Sequence, residues 1–143
     1  MPVDVKFEDY HVAVEEKMAE IAMNVLEECA GELESRVKRN TAVDTGYTKN
    51  SWQHKVTGSM IAQQYNAYIG SDYENAIWEE FGTGDYALEG NGRRGGWYYV
   101  DDEGKGHFTH GKHPRRPFYN AYTKLKNKLI EHIQDEFKKG LSR

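Results

Sequence analysis

Apolar residues recur at alternating spacings of three and four along the first forty positions, and this constrains the fold more than any other feature. Val14, Met18, Ile21, Val25, Cys29, Leu33 and Val37 fall on one stripe, widened by Ala22 and Leu26, with acids on the opposite side. That period belongs to an amphipathic helix, predicted over residues 8–39. A second stripe of Phe118, Ala121, Tyr122, Leu125, Leu129, Ile133 and Phe137 predicts a helix over 117–139. Pro117 suits its first turn, Lys138 and Lys139 its last, and Gly140 its end. Two long helices with single apolar faces must bury them against something else.

Between them the period changes. Ser51 to Thr57 alternates, with Trp52, His54 and Val56 on one face. Met60 to Ile69 alternates again, with Ile61, Tyr65, Ala67 and Ile69 together, and Gly58-Ser59 reads as the turn. An antiparallel hairpin over 51–70 follows. A short helix over 72–81 should carry Tyr73, Ala76, Ile77 and Phe81 inward. The expected architecture is α+β, a single domain over 1–143, with long terminal helices packed on a small antiparallel sheet.

Residues 82–113 break every period. Nine of the chain's 14 glycines lie between 82 and 111. Such a long irregular segment is expected to be a mobile loop, in which "WYYV" and "HFTH" flank "DDEGKG" as a second hairpin. Trp97, Tyr98 and Tyr99, flanked by Arg93 and Arg94, are large rings with no apolar surroundings of their own. They are expected at a subunit interface rather than in the core.

Charge is divided along the chain. Residues 1–37 hold ten acids and three bases, and residues 105–143 hold ten bases and three acids, within a net charge of −4. The ends are complementary, either as helices side by side in one chain or between subunits. The net charge argues against a specific nucleic-acid partner, and no segment is apolar enough to imply a membrane. A single cysteine, Cys29, allows no intrachain disulfide and suits a reducing compartment. On the apolar stripe it reads as a buried thiol.

Several motifs resemble chemistry. Asp44-Thr45-Gly46 spells the aspartic protease loop, in which two such loops share one proton. A homodimer would need one per subunit, which makes that enzyme the alternative reading. Here the preceding residues belong to a helix end, not to an apolar strand. Asp44, Thr45 and Gly46 therefore read as a structural turn, Asp44 accepting backbone hydrogen bonds, Gly46 permitting the bend and Tyr47 packing inward. Residues 90–95 spell G-x-G-x-x-G but lack the strand before and the helix after that a dinucleotide site needs. His107, His110 and His113 are spaced by three among glycines without the cysteines or helical pair of a closed zinc site. No cofactor, metal or catalytic residue is expected.

The ordered set "VDTGYTKNSW", "YENAIWEEFGTG", "GRRGGWYYVD" and "PRRPFYNAY", between two long helices, resembles the tail-completion and head–tail joining proteins of long-tailed bacteriophages and prophages. Val43, Asp44, Thr45, Gly46 and Ser51 match the family's Pro-Val-Asp-Thr-Gly-x-Leu-Arg-x-Ser, while Ala42 and Lys49 depart from it. Glu80-Phe81-Gly82-Thr83 matches Glu-Phe-Gly-Thr, and Pro117-Phe118 with Ala121 matches Pro-Phe-x-x-Ala. The resemblance implies a structural protein of the virion neck and not an enzyme. It implies a monomer or weak oligomer in the host cytoplasm that assembles with itself as a ring, commonly a hexamer. The implied partners are the tail-tube and head-connector proteins at the head-proximal end of the tail.

Overall fold

The computed structural model describes residues 11–42 and 46–142. Its elements are α1 (His11–Asn40), α2 (Tyr47–Asn50), β1 (Trp52–Ser59), β2 (Gln64–Ser71), α3 (Glu74–Phe81), a 3-10 turn (Gly84–Tyr86), β3 (Trp97–Val100), β4 (Gly106–Thr109) and α4 (Pro117–Leu141). The fold is α+β, as its periodicities predict. Helices α1 and α4 pack along each other, and the antiparallel β1–β2 sheet lies on α1.

The core comprises Val25, Cys29, Leu33 and Val37 of α1, Trp52 of β1, Ala76 of α3, and Ala121 and Leu129 of α4. The α1 stripe is buried only from Ala22 onward. Val12, Val14 and Met18 are exposed. Cys29 is buried, and that burial, more than the nearby Glu28 and Glu32, pushes its thiol above its ordinary range. Complementary end charges meet within the chain, where Lys128 Nζ reaches Glu32 Oε1 (2.8 Å) and His132 Nε2 reaches Glu28 Oε2 (2.8 Å).

The first hairpin turns later than predicted. Gly58 and Ser59 lie inside β1, paired with Tyr65 and Gln64, and the reversal falls at 60–63. Ile61 is therefore fully exposed at the turn instead of lining the apolar face. Gly58 serves a close approach. A Cβ there would sit 2.5 Å from Tyr65 Cδ1 and 2.8 Å from Met23 Sδ. His54 is a half-buried strand residue whose ring nitrogens face Glu27 Oε1 (2.5 Å) and Glu34 Oε2 (3.2 Å), pinning β1 to α1. The hydrogen bond that its ring donates to Glu27 is the largest cause of its raised pKa.

Asp44 and Thr45 lie outside the described residues. Gly46 has a left-handed φ of 84° and precedes the single turn α2. Tyr47 is 71% exposed and does not pack inward, whereas Thr48 is buried. At the far end α4 does not stop at Gly140 but runs through it to Leu141. A Cβ at Gly140 would meet the Ile21 side chain, so this glycine lets α1 and α4 approach.

Candidate interaction site: an aromatic hairpin and an open apolar trough

Helix α3 presents an unexpected face. Ala76 is buried as predicted, but Tyr73, Ile77 and Phe81 are exposed. Glu79 and Glu80 are buried in their place, at 2% and 7% exposure. Each has a partner from the segment leading into α4. The Glu80 carboxylate accepts the Phe118 N–H at Oε2 (2.9 Å) and the Tyr119 N–H at Oε1 (3.0 Å). These are orphan donors at the first turn of α4, where negative charge also suits the helix dipole. The Glu79 carbonyl accepts the N–H groups of Arg115 (2.8 Å) and Arg116 (3.1 Å), and its carboxylate pairs with Lys112 Nζ.

Arg116 stands before α4 with a left-handed φ of 54°, unfavourable for a residue with a Cβ. Its guanidinium lies 3.8 Å from the Tyr119 ring centroid. Gly82 has φ +73°, and a Cβ there would sit 2.8 Å from the Lys112 carbonyl oxygen. The Thr83 hydroxyl accepts the Lys112 N–H (2.8 Å), and the Thr83 N–H donates to Lys112 O (2.9 Å). Thus Glu80-Phe81-Gly82-Thr83 and Pro117-Phe118, far apart in sequence, adjoin one joint between α3 and α4.

The glycine-rich segment grows from that joint. Its base is a backbone pair, with the Asp85 N–H donating to His110 O (2.8 Å). Beyond it β3 and β4 form the second hairpin, in register Trp97↔Thr109, Tyr98↔Phe108, Tyr99↔His107 and Val100↔Gly106. Asp101 closes its turn, accepting the N–H groups of Glu103 (3.0 Å) and Lys105 (2.8 Å) at Oδ1 and facing His107 Nε2 at Oδ2 (2.7 Å). Asp85 takes the Gly95 N–H (3.0 Å) and faces His110 Nδ1 (2.9 Å). These bonds hold both carboxyls below the usual range, His107 being the leading cause for Asp101 and the Gly95 N–H for Asp85. His113 stacks on Tyr86, with centroids 3.7 Å apart. The three histidines therefore have separate partners.

The register divides the predicted interface residues between two faces. Trp97 and Tyr99 share one with His107, and Arg93 lies 5.7 Å from the Trp97 ring centroid. Tyr98 shares the other with Val100 and Phe108. Their exposures are 82%, 69% and 49%, which leaves this face uncovered. Arg94 is exposed beside Gly95. The strands contact each other and scarcely any other element.

A trough opens elsewhere on the molecule. A cavity of about 420 Å³ lies among Trp52, Ile69, Ile77, Phe81, Phe118 and Tyr122. A second, of about 260 Å³, shares Ile69, Phe118 and Tyr122 and continues over Cys29 and Leu33 toward Ile133. Helix α1 forms its floor, β2 one wall and α4 the other. The lining is mostly apolar, with Ser71, Glu80 and Arg116 among the residues of the larger cavity. Comparison with known proteins finds no matching family model, no matching curated protein and no matching solved structure.

Proposed function

We propose that the chain is a structural protein of the phage tail-completion or head–tail joining kind. It assembles with itself as a ring, taken as a hexamer, at the head-proximal end of the tail. There it joins the tail tube to the head connector, and it has no catalytic role. The observation that carries this reading is the β3–β4 hairpin. Its rings are presented to solvent on an element that contributes nothing to the core, a property of binding surfaces. Two of the motifs that resemble the family support it further, because Glu80 to Thr83 and Pro117-Phe118 adjoin the joint from which the hairpin projects.

Electron microscopy of particles made without this gene tests the proposal. Tails and filled heads that fail to join are expected, and normally joined particles would overturn it. Replacing Trp97 and Tyr99 together by Ala should leave the monomer's melting temperature within a few degrees of wild type while blocking incorporation into particles. Acid-dependent, pepstatin-sensitive cleavage that Asp44→Asn abolishes would instead establish the protease alternative.

A further inference from the structure

We infer that the Tyr98–Val100–Phe108 face of one copy's hairpin docks in the apolar trough of a second copy, between β2 and α4. This deepens the self-assembly reading and rests on it. Three observations select this occupant.

The hairpin face and the trough are both apolar and both unfilled, and no residue from 83 to 115 lines the trough of its own chain. Trp52 lines the trough and is 6% exposed.

Charge orients the contact. At the hairpin turn the Asp102 and Glu103 carboxylates have no cationic partner among the described residues, whereas Asp101 is taken by His107. On α4, Lys128 is taken by Glu32, but Lys124 and Lys126 meet no carboxylate among the described residues. Lys126 stands at the trough wall with its ammonium 5.7 Å from the Tyr122 ring centroid. An acidic tip therefore meets a basic rim when the apolar surfaces join. Finally, the two surfaces differ and each copy carries both, which is what a head-to-tail ring requires.

The test uses purified full-length chains. Tyr98→Cys and Ile77→Cys place thiols at positions 82% and 56% exposed, where folding tolerates them, and circular dichroism checks this. Cys29 stays buried and inert. Mixed under mild oxidation, the two variants should give a disulfide-linked dimer that neither gives alone. Asp102→Lys with Glu103→Lys in the Tyr98→Cys chain should lower its yield about tenfold. Lys124→Glu with Lys126→Glu in the Ile77→Cys chain should then restore it. Absence of the mixed dimer, equal dimerisation of Tyr98→Cys with itself, or failure of the restoring charge reversal would each overturn the inference. The trap reads contact between purified chains, and the particle experiment reads role. Failure of one is therefore distinguishable from failure of the other.

Discussion

Removing the Glu80 carboxylate should cost more than removing an ordinary helix cap. The usual cap is a local Ser, Thr, Asp or Asn whose loss costs about 0.5–2 kcal/mol. Here Arg116 occupies the cap position and offers no side-chain cap bond, so Glu80 serves α4 from another helix. Glu80→Ala leaves two backbone N–H groups without their acceptor. A buried unpaired donor costs about 1–3 kcal/mol. The trough beside Glu80 admits water, which places each near the lower end. Loss of negative charge at the helix start adds about 0.3–1 kcal/mol. The expected total is about 3 kcal/mol, a substantial share of a typical stability of roughly 5–15 kcal/mol. Glu80→Gln keeps one acceptor oxygen and should cost about half as much. Urea denaturation reads both as a lower midpoint at unchanged slope. Amide exchange should accelerate first at Phe118 and Tyr119. An Ala variant within about 0.5 kcal/mol of wild type, or Ala and Gln variants of equal stability, would refute the reasoning.

Three further outcomes follow from particular contacts. His54 has its pKa raised by Glu27 and Glu34, so the stability it contributes is fully present below its unfolded value of about 6.5 and is lost as pH rises through the folded one. The stability gap between wild type and His54→Asn should accordingly shrink from pH 6 to pH 9, and a gap that widens would contradict the assignment. Gly58→Ala should destabilise by about 1–3 kcal/mol, because its Cβ meets both Tyr65 and Met23, and an unchanged thermal midpoint would show that these two side chains relax freely. Amides of 86–109 should exchange faster than those of α1 and α4 in a verified monomer, since the hairpin is held by exposed polar bonds, and uniform protection would count against this.

The long helices were legible because their period of three and four survives across many turns, and burial later follows that stripe. It fails at Val14 and Met18 of α1 and at Tyr122 of α4, which are exposed. Gly58 misled because glycine serves both turns and close approaches, and no local signal separates them. Glu79 and Glu80 were illegible as buried groups. A carboxylate on a short amphipathic helix reads as its wet face, and only a distant partner inverts that. One signal was present. Pro117 opens a helix with no Ser, Thr, Asp or Asn before it, so an acceptor had to come from elsewhere in the chain. The trough could not be read at all, because its lining comes from five separate elements and it is defined by what does not fill it.

The hairpin's construction bears on when it would bind. A lone two-stranded hairpin is marginal in water, and no apolar layer supports this one. What holds it is the Asp101 turn, the Asp85 contacts at its base, and cross-strand rings such as Tyr98 on Phe108, 4.8 Å apart. Each of these bonds is modest, so the element orders cheaply but not tightly. The proposed docking in the trough would add apolar burial on the Tyr98 face, yet part of that gain would go into fixing the strands and weaken binding between two free copies. In a closed ring every hairpin is held at both its base and its tip, and ordering one copy presents an already rigid neighbour to the next. In the proposed ring such a contact would be weak pairwise and strong when closed, which would keep free chains apart until assembly gathers them.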